Sequence, residues 1–152
     1  MKTIINFISI FVIVLLTSVT LNAQVKKDLV GTKDYALISR ASPVFHIIEY
    51  NEDENGSMDF PTGRETSDNI TGKKYHWEYS SNKGAKLPTK SALFTHYISK
   101  VKAKGGSLVF EDINDNACTL KMPSATSKDK VIYLMINIFE DGANYTLSVI
   151  EK

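Results

Sequence analysis

The sequence predicts an α+β domain: an antiparallel or mixed sheet of about five strands with one main helix packed on a face. Three observations predict it. Leu93, Phe94, Tyr97, Ile98 and Val101 recur at helical spacing between Thr89 and Lys104, and fall within one arc at about 100° per residue. Lys73 to Ser80 alternates, with Tyr75, Trp77 and Tyr79 on one face and Lys74, His76 and Glu78 on the other. Val131 to Phe139 is apolar on both faces apart from Asn137, as suits a strand in the middle of a sheet.

From the amino end, Met1-Lys2-Thr3 is followed by an apolar run from Ile4 to Leu16, then by softer residues ending at Asn22-Ala23-Gln24. A basic start, an apolar middle and a small residue before the cut make a secretory signal peptide, with cleavage expected between Ala23 and Gln24. A permanent span needs about 20 apolar residues, and this run is diluted at Thr17-Ser18. Lipidation needs a Cys at the new amino end, and the one Cys is Cys118. Residues 1–23 are thus expected to be a leader and residues 24–152 a single α+β domain, exported and then periplasmic or secreted. No stable membrane span is expected after cleavage.

Gln24 to Pro43 reads as an irregular lead-in, and Val44 to Tyr50 as a β-branched and aromatic strand. Asn51 to Gly72 is polar and broken by Gly56, Pro61, Gly63 and Gly72. It reads as a long loop, with at most a short strand near Met58 to Phe60. After the alternating strand, Asn82-Lys83-Gly84 marks a turn. The helix follows, with Thr89 as N-cap, Lys100, Lys102 and Lys104 at its carboxyl end, and Gly105-Gly106 as its stop. Ser107–Glu111, Val131–Phe139 and Asn144–Ile150 are the closing strands, the last two joined through Glu140-Asp141-Gly142-Ala143.

The chain holds 18 basic and 17 acidic residues. Only Lys2 is charged in the leader, so the exported part is formally neutral. Nucleic-acid binding, which needs a concentrated basic face, is therefore not expected. A lone Cys in an exported protein makes no internal disulfide. Cys118 beside Asp115 reads as a small buried hydrophobe rather than as a nucleophile.

The stretch Asp28-Leu29-Val30-Gly31-Thr32-Lys33-Asp34-Tyr35-Ala36-Leu37-Ile38-Ser39-Arg40 resembles the opening D-x-x-G-S-x-D-x-P-L-I-S-R of a bacterial envelope domain. That domain commonly precedes the peptidoglycan-binding domain of OmpA-family proteins. The Lys83-Gly84 turn, the helix with its Gly105-Gly106 end and the last hairpin are similar to later parts of the same domain. Two departures matter: members often carry paired cysteines after the helix, and the peptidoglycan-binding domain is expected to be absent here, the envelope domain standing alone. The resemblance implies an envelope role and transfers neither wall anchoring nor a catalytic residue.

His46, His76 and His96 lack metal-ligand spacing, and His46 could meet His76 only in the right strand register. Asp112, Asn114 and Asn116 imitate the start of a calcium loop, but Ala117 stands where Gly is needed and Pro123 where Glu is needed. No catalytic residue, metal or cofactor is expected. Arg40 either braces the lead-in or binds an anionic group. Tyr75, Trp77 and Tyr79 either face the core or form a platform for a sugar. The leading reading is a non-catalytic cell-envelope domain acting through an envelope protein or a cell-wall component. The second is a glycan-binding module using the aromatic strand face, for which a buried Trp77 indole would remove the platform.

Overall fold

The computed structural model describes residues 25–124, 127 and 129–152; the expected leader, residues 1–23, lies outside the described residues. Six strands form one antiparallel sheet: β1 (Phe45–Pro61), β2 (Ser67–Ser81), β3 (Ser107–Asp112), β4 (Ala117–Pro123), β5 (Val131–Phe139) and β6 (Asn144–Glu151). Their spatial order is β1-β2-β6-β5-β4-β3. β6 therefore joins two halves, pairing with β2 on one side and β5 on the other. The pairings make β2 and β3 run in the same direction at opposite ends of the second half. Strands so related cannot be joined by a tight turn, and helix α1 (Lys90–Ala103) supplies the crossover.

The structure overturns the expectation of an α+β domain built on a main helix. The described residues are mostly sheet, and the α-helix among them, 14 residues long, is a minor element beside a single 3-10 turn at Glu140–Gly142. Two segments account for the difference. Asn51 to Gly72, expected as a loop, is the outer part of a β1–β2 hairpin whose strands run 17 and 15 residues. Ala117–Pro123 is a further strand, whose Cys118, Leu120 and Met122 alternate toward the core. Asp112, Asn114 and Asn116 form the tight β3–β4 turn: Asp112 Oδ1 accepts from the backbone of Asn114 at 2.9 Å and of Asp115 at 3.3 Å. A carboxylate that bonds its own backbone two residues on makes a turn without any ion.

The helix forms where its stripe predicts. The Thr89 hydroxyl accepts from the Ala92 amide at 3.1 Å, satisfying one of the orphan donors of the first turn. Leu93, Phe94, Tyr97 and Val101 are fully buried against the sheet. The chain leaves through Gly105 at φ +77. At Gly106 a Cβ would meet the Lys121 carbonyl and the Val101 side chain. Under the helix lie Ile132, Leu134, Ile136 and Ile138 of β5 with Tyr145, Leu147 and Val149 of β6. Tyr79 stacks on Tyr145 with centroids 4.6 Å apart, and the Tyr97 hydroxyl donates to that of Tyr145 at 3.0 Å.

The opposite face is covered by the chain's own hairpin. Register shifts between Ile47 and Glu49 and between Asp53 and Gly56 bend β1, as β-bulges do. Gly56 stands opposite Gly72 just beyond the second shift. A Cβ on Gly72 would strike the Glu151 carbonyl, and one on Gly56 would strike the Lys74 side chain. The bare pair lets the arm curl over the sheet, where Phe60, Ile70 and Ile150 form a second buried cluster edged by Met58, Tyr133 and Met135. Arg64 near the tip reaches Asp112 at the end of β3, 3.6 Å away. No helix among the described residues is long and apolar enough to cross a membrane.

Candidate functional site

Arg40 sits at the centre of the lead-in. Its guanidinium donates to both oxygens of Asp28 at 2.6 and 2.7 Å, to Asp34 at 2.9 Å and to the Phe45 carbonyl at 3.0 Å. Asp28 also accepts from the Ile47 amide at 2.8 Å, and Asp34 accepts from the Tyr79 hydroxyl at 3.2 Å. Asp28, Asp34 and Arg40 of the opening motif are thus bonded to one another, and together they tie residues 28–40 to β1 and β2. The Arg40 guanidinium holds the Asp28 carboxyl below the usual carboxylate range. With its donors committed and its side chain 16 % exposed, Arg40 has the geometry of a brace.

The aromatic face of β2 points inward beneath that braced segment. Trp77 is 3 % exposed, and its indole N–H donates to the Lys33 carbonyl at 2.9 Å. Tyr75 stacks on it at 5.8 Å, with Tyr50 and Tyr35 at 5.3 and 5.7 Å. Tyr79 is fully buried. Arg40 and Tyr79 meet, the guanidinium carbon 5.5 Å from the ring centroid, while Tyr75 and Trp77 belong to the neighbouring aromatic cluster. A shallow groove of about 450 Å³ is lined by Tyr35, Tyr50, Tyr75 and Trp77, though the indole itself is almost wholly buried.

The histidines are dispersed. Register puts His46 opposite Ser80 and His76 opposite Asn51, and His96 Nε2 donates to the Ser39 carbonyl at 2.9 Å. Among the described residues no three His, Cys, Asp or Glu side chains are grouped to hold a metal. Cys118 is fully buried, its thiol pushed up to about 12 by burial and then by Glu111, which leaves it unreactive at neutral pH.

A better-formed concavity lies on the other face, between the curled arm and the sheet. This groove, of about 420 Å³, is lined by Asn51, Asp53 and Met58 of β1, Lys74 and His76 of β2, Met135, Asn137 and Phe139 of β5, and Thr146 and Ser148 of β6. Its floor is Ser148, 2 % exposed, and Thr146, 8 % exposed. Asn51, Asp53 and Phe139 stand exposed at the rim. His76 Nδ1 lies 2.8 Å from Ser148 Oγ, and burial pulls the imidazole below its ordinary pKa, so it is neutral at pH 7. Asp53 is registered opposite Lys74, and its Oδ1 accepts from the Asn55 amide at 3.0 Å. The lining offers amides, hydroxyls and one neutral imidazole beside two thioethers, an arrangement suited to binding by hydrogen bonds. Sequence reasoning missed it because four strands contribute, and no local spacing links Asn51 to Ser148.

No protein-family model matches the chain, and a search of curated proteins found no match.

Proposed function

We propose that the chain is an exported, non-catalytic cell-envelope domain that acts by contact, with the groove between the β1–β2 arm and the sheet as its contact site. The leader-like start, Met1 to Ala23, supports export. The observation that carries the contact site is the lining itself: Asn51, Asn137, Thr146 and Ser148 converge in one concavity. Such a surface suits a ligand rich in hydroxyls and amides, and among envelope components that favours the peptidoglycan of the wall over an apolar protein surface. The resemblance of Asp28 to Arg40 to an envelope domain agrees with this reading without supplying the site. Burial of Trp77 withdraws the support that an open aromatic face would lend to the glycan-platform alternative.

Two measurements test it. Mass spectrometry of the native product is expected to find Gln24 as the first residue; Met1 still attached would overturn the export reading. The full exported chain is expected to co-sediment with purified wall sacculi, and the double variant Asn51→Ala/Asn137→Ala to bind about tenfold more weakly, about 1.4 kcal/mol. Sedimentation unchanged by these rim and lining substitutions would remove the groove from the contact. A photo-crosslinker at Phe139 that captures one protein, and no wall fragment, would show the partner to be protein instead.

A further inference from the structure

We propose that Met58, Met135 and His76 form a binding site for a soft monovalent metal ion, copper(I) or its analogue silver(I). All three line the groove of about 420 Å³. Met135 is registered opposite Ser148, and Ser148 opposite His76, so thioether and imidazole flank one floor residue from its two sides. Adjacent strands lie about 4.8 Å apart, which places the two backbones about 10 Å from each other across the groove floor. Met58 comes from above, on the arm that packs over the same Ile150 cluster that Met135 borders.

The chemistry of the donors selects the ion. Thioethers are soft, neutral ligands that favour copper(I) and serve hard divalent cations poorly. A calcium or magnesium site would need several carboxylate oxygens, and here the one lining carboxylate, Asp53, faces Lys74. The His76–Ser148 contact of 2.8 Å holds the ring in place; in the tautomer whose Nδ1–H donates to the Ser148 hydroxyl, Nε2 keeps its lone pair for the metal, the usual arrangement of a ligating histidine and its outer partner. Spacing rules built on His and Cys pass over such a site, because two of its three donors are methionines brought together by the fold.

The full exported chain, labelled with ¹³C at the methionine methyl groups, can be titrated with silver(I), which has no accessible redox change. Met58 and Met135 methyl signals and the His76 ring are expected to shift together and to saturate at one equivalent. Met122, buried on the helix-facing side of the sheet, is expected to stay still as an internal control. The variant Met58→Leu/Met135→Leu conserves volume and so is expected to fold while losing saturable binding; Ser148→Ala is expected to weaken binding about tenfold. Equal movement of Met122, absence of any saturable shift, or unchanged affinity in the folded double variant would overturn the assignment. It does not depend on wall contact: sacculus sedimentation and methyl titration fail separately.

Discussion

At the scale of single residues, Arg40 carries the largest consequence. Its bidentate pair with Asp28 and its bond to Asp34 hold the lead-in against β1 and β2. Arg40→Met leaves two carboxylates without their cation, held only by neutral donors such as the Ile47 amide and the Tyr79 hydroxyl. Removing one member of a fully buried pair costs about 3–5 kcal/mol; with Asp28 35 % exposed and Asp34 22 % exposed, solvent screening brings the expectation to about 2 kcal/mol. Urea unfolding measures it, and a loss below about 0.5 kcal/mol would reduce the network to an ordinary surface pair. The same pair sets an acid limb. Asp28 has a folded pKa below its unfolded value, so its contribution is fully present above about pH 4 and disappears as pH falls through the folded value. Arg40→Met is expected to flatten that limb. The motif Asp28 to Arg40 was visible as a pattern; that Asp28, Asp34 and Arg40 bond one another was not, because the network is completed from outside the motif, by Ile47 and by the distant Tyr79.

Among elements, the arm departs furthest from what the sequence suggests, and glycine explains both the misreading and the structure. Gly56, Pro61, Gly63 and Gly72 look like interruptions, yet Gly56 and Gly72 are a cross-strand pair at the bend. Gly72→Ala drives a methyl into the Glu151 carbonyl, a backbone atom that cannot swing away, and is expected to cost about 2–3 kcal/mol. Gly84→Ala meets nothing within 4 Å and bears only the strain of φ +76, about 1 kcal/mol. Thermal unfolding of the two variants gives the order, and equal losses would remove close approach as the reason for Gly72. Elements with one buried face were legible: Lys73 to Ser80 alternates because only Tyr75, Trp77 and Tyr79 turn to the core, and the helix stripe survives intact. The arm strands were not legible, since Asp53 to Ser57 and Ser67 to Asn69 are mostly exposed and a solvated ribbon leaves no period-two signature. β4 was obscured by the acidic turn before it, although Cys118, Leu120 and Met122 do alternate.

For the whole molecule, one sheet with both faces covered implies one cooperative unit. Trp77 on β2 and Cys118 on β4 are separated in the sheet by β6 and β5, so the two probes sample different strands of the same core. Thiol labelling of Cys118 across a urea series is expected to share its midpoint with Trp77 fluorescence. Labelling that begins well before the fluorescence change would show β4 opening by itself. The groove belongs to this scale too, because its donors and walls exist only once the arm has closed over β5 and β6, and no reading of neighbours along the chain could have assembled it. The position of β6 has a temporal consequence. Residues 144–151 follow every other strand in the order of synthesis, yet they form the seam between the β1–β2 hairpin and the β3–β5 half. Until residues 144–151 emerge, a growing polypeptide has no complete sheet to lock into.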